Sequence, residues 1–290
     1  MGKVVTVMNM KGGVGKTTVA SHFAAASVAY KFGKPSPRTV LAIDYDPQFN
    51  LSQVFLPSKK YFQLESEKKT TLSILLDDDA DLNPYKLQVP GNEEPPKVAD
   101  LATRVLTYKN GSFLDIVPST LDLMYVALGQ ANTQLGPIEN RFQKFIEEAK
   151  HLYDLVIIDC HPAGSLFTKT SLRNSDHVVI PVMPQRYAVR GIGLMMNFIA
   201  SKKQGAQGPT PHILFNATPR TGISKEEAQI RSNATFASYC LSNTMKRYSA
   251  FGEPEDGKGF AWHSRKPYST EASRNIIAVT TELLEKIGVP

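Results

Sequence analysis

A glycine-rich segment near the N-terminus, from Lys11 to Thr18, constrains the fold of this chain more than any other feature. It follows an apolar run at 4–8 that is predicted as a buried strand, and it precedes a stretch at 19–26 that is predicted as a helix. Strand, glycine-rich turn and Lys-Thr at the start of a helix form the context of a phosphate-binding loop. Glycines let backbone N–H groups turn inward around an anion, and the helix N-terminus adds partial positive charge. The segment therefore predicts nucleotide binding.

Individual residues of the loop have separate predicted roles. Lys16 is expected to bind the β- and γ-phosphates, and the Thr17 hydroxyl is expected to be a ligand of Mg²⁺. The usual pattern has Gly at the position of Met10, and here a second lysine, Lys11, follows that position. A glycine-rich turn without nucleotide is the alternative, which the strand and helix on either side disfavour. The other residues predicted to contact the nucleotide here are Gly12, Gly13, Val14, Gly15 and Thr18.

The order Lys-Gly-Gly-Val-Gly-Lys-Thr-Thr resembles the deviant Walker A box of the ParA/MinD family of P-loop ATPases. In that family the extra lysine reaches across an ATP-sandwich dimer to the phosphates of the partner. The resemblance implies ATP and Mg²⁺ as cofactors, a homodimer, and catalytic roles for Lys11 and Lys16. It also implies an α/β fold with one mostly parallel twisted sheet flanked by helices on both faces. The alternation of strand and helix patterns favours the same architecture.

A second informative segment, which is acidic, follows the predicted strand at 39–43, at the sheet edge where open α/β proteins bind ligands. It reads Asp44-Tyr45-Asp46-Pro47-Gln48-Phe49-Asn50 and resembles the family signature D-x-D-P-Q-G-N, with Phe49 in place of the usual Gly. The resemblance assigns Asp46 to orient the attacking water. It assigns Asp44 a supporting role toward an Mg²⁺-bound water and in ordering the loop. A solvated Asp-Pro turn is the alternative.

A third landmark is the apolar run at 153–158 that ends in Asp159, a pattern typical of a Walker B strand. The carboxylate of such a strand meets Mg²⁺ directly or through water. The family continues D-T-P-P, whereas this chain continues Cys160-His161-Pro162. A catalytic Cys160 is the alternative, but no further ligand accompanies it, and adjacent residues of a strand point opposite ways. We interpret the segment as a substituted switch loop.

Base recognition is expected at the end of a later strand, 211–216. At this place the family holds adenine with a strand-end side chain and loop backbone, which implies contacts from Asn216 and Pro219. The Asn216 amide offers both a donor and an acceptor to a base edge. An asparagine that caps its own loop is the alternative.

The rest of the chain is predicted as one ParA-like domain over 1–290. Segment 57–112 is irregular and charged, with a short helix at 72–76 and another at 97–106. Strands are expected at 113–117 and 177–182, and helices at 16–30, 121–131, 137–152, after 191, 223–241 and 270–287.

Composition excludes several classes of protein. The two cysteines are far apart in the chain, which gives neither a disulfide framework nor a C-x-x-C metal pair. No apolar run is long enough to span a bilayer, and the first strand begins too early for a signal peptide. A cytoplasmic protein is therefore expected. The net charge of +6 weakly favours binding to polyanions, but charge alone does not determine whether the protein binds any.

Among members of the family, a short ParA is the expected type: an ATP-dependent, sequence-nonspecific DNA binder that positions DNA or a protein cargo. MinD-like members carry a Lys-rich membrane helix after the fold, and this chain stops after a core-like helix. Hydrolysis is expected to be stimulated by a ParB-like or cargo-adaptor partner, and the protein to be nucleoid-associated. The alternatives are a MinD-like spatial regulator and a nucleotide-gated adaptor acting on a surface other than DNA.

DNA contact is expected from basic residues in the C-terminal half. Arg220 falls in the loop where ParA relatives place a DNA-contacting arginine. Scattered, solvated charges are the alternative. The other predicted DNA-binding residues are Lys202, Lys203, Arg247, Arg265 and Lys266.

Overall fold

Apolar residues that alternate between two faces build one sheet across the described parts of the chain. The computed structural model describes residues 1–29, 37–77, 82, 90–128, 136–161, 166–201 and 208–290. Within these ranges eight strands are ordered β3-β4-β2-β5-β1-β6-β7-β8, and every neighbouring pair is parallel except β3 with β4. The strands are β1 (Lys3–Val7), β2 (Thr39–Tyr45), β3 (Thr103–Thr107), β4 (Phe113–Val117), β5 (Leu155–Cys160), β6 (His177–Val182), β7 (Thr210–Thr218) and β8 (Met245–Lys246).

Helices cover both faces of the sheet, and each face has its own hydrophobic core. Val4 and Leu41 point to one core, whereas their neighbours Val5 and Val40 point to the other. The first core includes α4 (Thr71–Leu75), α5 (Val98–Leu101), α6 (Leu123–Leu128), α7 (Gly136–Leu152), α8 (Leu166–Arg173), α9 (Ala188–Ser201) and α10 (Lys225–Arg231). The second includes α1 (Lys16–Val28), α2 (Asn50–Phe55), α3 (Ser58–Ser66) and α11 (Ser269–Ile287). Strand β5 is buried along its whole length, as a central parallel strand requires.

The predicted α/β fold is confirmed, and the strands expected from apolar runs are present. Two predicted helices are wrong in extent. The helix at 97–106 stops at Leu101, and β3 follows because its β-branched residues pair with β4 at the edge of the sheet. The helix at 223–241 ends at Arg231, whose guanidinium donates a hydrogen bond of 2.8 Å to the Leu241 carbonyl oxygen as the chain turns back. The predicted ends at 30 and 129–131 lie outside the described residues, and the single domain over 1–290 stays a prediction.

A buried arginine attaches the described parts of segment 57–112 to α7. Arg141 is 1% exposed and forms an ion pair of 2.8 Å with Asp77. Its guanidinium also donates to backbone carbonyl oxygens: Nη1 to Asn92 (2.6 Å) and Glu94 (2.8 Å), Nε to Ile74 (3.0 Å), and Nη2 to Ser73 (2.9 Å) and Leu76 (3.1 Å). Arg141 thereby satisfies the orphan carbonyl groups at the C-terminus of α4.

In the ranges that the structure describes, none of the helices has the length and apolar character needed to cross a membrane.

Candidate nucleotide-binding site

The glycine-rich loop joins β1 to α1 at the carboxyl end of the central strands. Gly13 and Gly15 have φ angles of 73° and 83°, in the left-handed region that favours glycine. A Cβ at Gly15 would also lie 2.3 Å from the Asn216 side-chain nitrogen. The sequence therefore permits a tight turn here, after which the free N–H groups of α1 face the space above the loop.

Asn216 joins the end of β7 to this loop. Its Nδ2 donates a buried hydrogen bond of 2.8 Å to the Val14 carbonyl oxygen. Its Oδ1 accepts a bond of 2.8 Å from the backbone N–H of Ala217, which has a φ of 53°. This is the loop-capping arrangement that the sequence left open, and it reaches the phosphate loop as well. A contact from Asn216 or Pro219 to adenine stays a prediction.

The two lysines of the loop have different surroundings. Lys16 is buried, only 9% exposed, and its charge lies close enough to Asp159 to affect that carboxyl. Lys11 is exposed, and its Nζ donates a hydrogen bond of 2.9 Å to Gln185 Oε1. The start of the loop is tied to β6 through Asn9, which donates to the Pro181 carbonyl oxygen (2.8 Å). Lys16 thus faces into the site, and Lys11 lies on its outer surface.

Three buried carboxyl groups lie on the other side of the loop. Asp44 and Asp159 are register partners on β2 and β5, and Asp46 follows in the next turn. Burial, together with the nearby Asp46, raises the pKa of Asp159 to about 7, against the lowering effect of a Thr17 hydrogen bond and of Lys16. Burial and the nearby Asp159 also hold the pKa of Asp44 well above its ordinary value. A cation in this place would relieve the clustered negative charge.

Asp44 is engaged by the backbone and side chains around it. Its Oδ2 accepts hydrogen bonds from the Ser52 backbone N–H (2.8 Å) and hydroxyl (2.7 Å). Its Oδ1 accepts from the Asp46 N–H (3.3 Å), and its carbonyl oxygen accepts from the Thr71 hydroxyl (2.7 Å). These are contacts of the predicted loop-ordering role, and the magnesium–water role stays a prediction. Sequence reasoning missed Ser52 and Thr71, although a serine two residues into the helix after an acidic turn is a recognisable signal.

Asp46 lies in the turn between β2 and α2 and is 8% exposed. Its Oδ1 accepts a hydrogen bond of 3.0 Å from the Gln48 N–H, and its carbonyl oxygen accepts one of 2.9 Å from the Phe49 N–H. The carboxylate is thereby held beside the phosphate loop and near Asp159.

Thr17 and Asp159 fit a magnesium ion. Asp159 Oδ2 is buried and has no hydrogen-bond partner among the residues described. The Thr17 side chain interacts with the same carboxyl group. A hydroxyl and a carboxylate oxygen with unused acceptor capacity are the hard ligands that Mg²⁺ prefers.

Cys160 does not have the surroundings of a nucleophile. It is fully buried, and burial raises the pKa of its thiol to about 12. A reactive cysteine needs the opposite shift. Its Sγ accepts a hydrogen bond of 3.5 Å from the Ser171 hydroxyl, so the side chain belongs to the core under α8. Pro162 lies outside the described residues.

A cleft of about 410 Å³ lies beside the loop, at the carboxyl ends of β6 and β7. It contains Gln185, the partner of Lys11, together with Pro219, Arg220 and Arg247. The predicted base contact and two predicted DNA contacts thus line one cleft.

Arg220 is held by contacts of its side chain and of its backbone. Its guanidinium carbon lies 4.1 Å from the centre of the Tyr268 ring, and its carbonyl oxygen accepts a hydrogen bond of 2.9 Å from Lys246 Nζ. Arg220 is an exposed residue.

The other predicted DNA-binding residues differ in their exposure and in the partners that they contact. Arg247 and Arg265 are exposed, and Lys266 is exposed but forms an ion pair of 3.1 Å with Glu253. Lys202 and Lys203 lie outside the described residues.

Comparison with known proteins decides the family. A family model described as an AAA domain matches residues 2–207 of this chain. The sporulation initiation inhibitor protein Soj of Bacillus subtilis is 33% identical over 202 residues, which are 69% of this chain and 65% of that protein. The chain belongs to the ParA/MinD family of P-loop ATPases. The predicted family is therefore confirmed, and the aligned region spans just under two thirds of the length of Soj.

Solved structures of ParA/MinD proteins share the fold over nearly the whole chain. A plasmid partition protein from Borrelia burgdorferi bound to AMPPNP has a TM-score of 0.71 at 19% identity, covering 99% of this chain and 100% of that one. The pNOB8 ParA protein bound to nonspecific DNA has a TM-score of 0.64 at 18% identity, covering 99% and 97%. At these identities the likeness is one of fold.

Proposed function

We propose that this chain is an ATP-dependent, dimerising partition ATPase that binds DNA without sequence preference and positions DNA or a protein cargo. The observation that carries the proposal is the meeting of three features at one edge of the sheet: the phosphate loop with buried Lys16, the carboxylates Asp46 and Asp159, and the exposed Lys11. The family, its AMPPNP-bound relative and its DNA-bound relative support it.

The chemistry follows from the residues of the loop and the two acidic turns. Backbone N–H groups at 12–18 and the Lys16 ammonium group bind the phosphates of ATP. Thr17 and Asp159 would hold Mg²⁺, which would supply positive charge to the phosphates when bound. Asp46 orients the attacking water in this proposal, which the hydrogen bond between Asp46 Oδ1 and the Gln48 N–H supports by holding the carboxylate in its turn. The predicted roles of Asp44 and of the base contacts Asn216 and Pro219 complete this site.

Dimerisation would add Lys11 of one subunit to the nucleotide site of the other. Lys11 is exposed, and among the described residues its Nζ bonds only to Gln185 Oε1, so the ammonium group can leave that partner at low cost. In the proposed sandwich dimer it contacts the phosphates bound to the partner subunit. ATP binding then favours the dimer, and hydrolysis returns the monomers.

DNA binding is proposed for the surface around Arg220 and Arg247, with Arg265 and Lys266 extending it. Lys202 and Lys203 are predicted to contact DNA as well, and they lie outside the described residues. Contacts from such residues go to phosphates and carry no sequence information. The proposal includes nucleoid association and a ParB-like or cargo-adaptor partner that stimulates hydrolysis.

Three measurements on the purified protein test the proposal: phosphate release with and without duplex DNA, sizing with ATP, and binding of ATP-loaded protein to unrelated duplexes. We expect Mg²⁺-dependent turnover, an ATP-dependent dimer and binding to every duplex. Lys11→Ala should still bind ATP but lose dimerisation and turnover, and an ATP-dependent Lys11→Ala dimer would contradict the cross-subunit role. Nucleotide-dependent dimerisation without turnover or DNA binding would favour the adaptor or MinD-like alternative.

A further inference from the structure

The turn that carries Asp46 contains a strained residue. Phe49 has φ 45° and ψ 32°, a left-handed conformation that a bulky side chain adopts at a cost. It stands at the Gly position of the signature D-x-D-P-Q-G-N that this segment resembles, and glycine takes this conformation freely. Something in the surrounding structure must therefore hold Phe49 in place.

The partner of Phe49 is Tyr61 on α3. Their rings are stacked, with centroids 5.1 Å apart and planes 20° from parallel. Tyr61 is 5% exposed, and its hydroxyl donates a hydrogen bond of 3.1 Å to Glu65 Oε1. The Thr120 hydroxyl donates to the same oxygen at 2.8 Å, so the far side of the ring is attached to the loop after β4. The Tyr61 ring is thus a fixed surface.

The stack and the carboxylate of Asp46 belong to one closed turn. The Phe49 N–H donates to the Asp46 carbonyl oxygen, and the Gln48 N–H donates to Asp46 Oδ1. Phe49 also begins α2, since its carbonyl oxygen accepts from the Gln53 N–H at 3.2 Å. A different backbone conformation at Phe49 would break the first bond and move the second.

We infer that the Phe49–Tyr61 stack positions Asp46, holding its turn in a strained, preorganised conformation before nucleotide arrives. Phe49 and Tyr61 are positioning residues here, because they act through the turn and touch no reacting atom. This inference rests on the proposed function, in which Asp46 orients the water. It gives the glycine-to-phenylalanine departure a physical role: the ring contact replaces the freedom that glycine has at this position.

Four variants separate the stack from the strain. Tyr61→Leu removes the stack and leaves the turn unchanged in sequence, whereas Tyr61→Phe keeps the ring and is the matched control. Phe49→Ala removes the ring and keeps a Cβ in the left-handed region. Phe49→Gly removes the ring and the strain together. Urea unfolding of each variant shows that it is folded.

Two readouts are measured on the full chain. The first is hydrogen exchange of the 44–52 segment without nucleotide, where we expect about three- to tenfold faster exchange in Tyr61→Leu and Phe49→Ala. The second is ATP turnover, where kcat should fall by the same factor while KM stays within about twofold, because the phosphate loop is untouched. Tyr61→Phe keeps the stack and loses only the hydroxyl bond to Glu65, so its exchange and kcat should lie closer to the wild type than those of Tyr61→Leu. Phe49→Gly should lie between wild type and Phe49→Ala.

The outcomes are distinguishable. Unchanged exchange in Tyr61→Leu and Phe49→Ala would overturn the inference, and so would faster exchange with unchanged kcat in an active enzyme. If the wild type hydrolyses no ATP, with or without DNA, the proposed function fails and the catalytic part of the inference fails with it. Hydrogen exchange in the variants would then still show whether the Phe49–Tyr61 stack orders the turn.

Discussion

At the scale of single residues, Asp46 differs from its neighbours in what it can do. Asp44 is committed to Ser52, and the Asp159 oxygen without a partner fits a metal ion, whereas Asp46 is held in its turn by backbone N–H groups. Asp46 is therefore the carboxylate that we propose acts on water. This assignment separates catalysis from binding and leads to a prediction.

Asp46→Ala should trap an ATP-bound dimer. The change removes the water-orienting carboxylate and leaves Lys16, Thr17 and the loop intact, so kcat should fall by about 100-fold or more while nucleotide affinity changes little. Phosphate release and sizing with ATP measure the two effects. Asp44→Asn is the comparison, because it disturbs Ser52 and should lower stability as well. Turnover near the wild-type rate in Asp46→Ala would move the catalytic role to another residue.

At the scale of elements, the attachment of segment 57–112 to the sheet depends on Arg141. Replacement by methionine keeps much of the volume but leaves Asp77 without its cation and five carbonyl oxygens without their donor. We expect Arg141→Met to lower the free energy of unfolding by about 3 kcal/mol or more. Urea unfolding measures it.

The matched control for Arg141 lies one turn along α7. Lys144 forms an exposed ion pair with Glu94, and Lys144→Met should change the free energy of unfolding by about 0.5 kcal/mol or less. Equal effects of the two variants would show that the buried guanidinium does not hold the segment.

A histidine pair at the start of β6 and β7 predicts how stability depends on pH. His212 Nε2 lies 3.2 Å from His177 Nδ1, and burial, then the nearby His177, lower the pKa of His212 from 6.5 to about 4. Lys286 lowers the pKa of His212 further, and Glu282 raises it. Burial lowers the pKa of His177, Asp176 acts in the opposite direction, and Lys3 lowers it. The folded protein therefore holds His212 neutral where the unfolded chain is protonated.

The sign of the effect follows from that difference. As pH falls below about 6.5, His212 becomes protonated in the unfolded chain but stays neutral in the folded protein. The contribution of neutral His212 to the free energy of unfolding is therefore complete above this pH and is lost progressively toward pH 4. Each such histidine adds a slope of at most about 1.4 kcal/mol per pH unit. Urea unfolding between pH 7.5 and 4.5 should give a shallower decline for His212→Gln than for the wild type. Identical slopes would contradict the prediction.

At the scale of the whole molecule, the question is whether the exposed basic residues act as one surface. Arg220 and Arg247 line one cleft, and Tyr268 holds the Arg220 guanidinium over its ring. Arg220→Glu should weaken binding of the ATP-loaded protein to every duplex equally and leave dimerisation unchanged. Each lost phosphate contact should lower the slope of log affinity against log salt by about 0.9.

Lys109→Glu is the control for Arg220. Lys109 is exposed in the turn between β3 and β4, at the opposite edge of the sheet from β7 and β8. It makes the same change in net charge and should leave the salt slope as it is. Titration of both variants at two salt concentrations decides the matter, and equal losses would indicate that overall charge, rather than this surface, binds DNA.

The sequence by itself determined the family, the α/β architecture and the chemical landmarks, because each of these depends on contiguous residues. An apolar run, a glycine-rich turn and a helix start are local patterns, and so are the aspartates that end β2 and β5. Edge strand β3 and helix α3 escaped the same reasoning, and so did the end of α5, since their boundaries are set by packing rather than by local preference.

Tertiary structure decided which side chains work together. Asn216 bonds to Val14 across 202 positions, Arg141 reaches Asp77 across 64, and Phe49 stacks on a tyrosine of the next helix. Such pairs depend on strand order and register, which bring distant residues to one edge of the sheet only when the whole sheet is assembled. Local pattern therefore predicts what chemistry the chain carries, and the long-range packing of the sheet sets the geometry in which that chemistry is held.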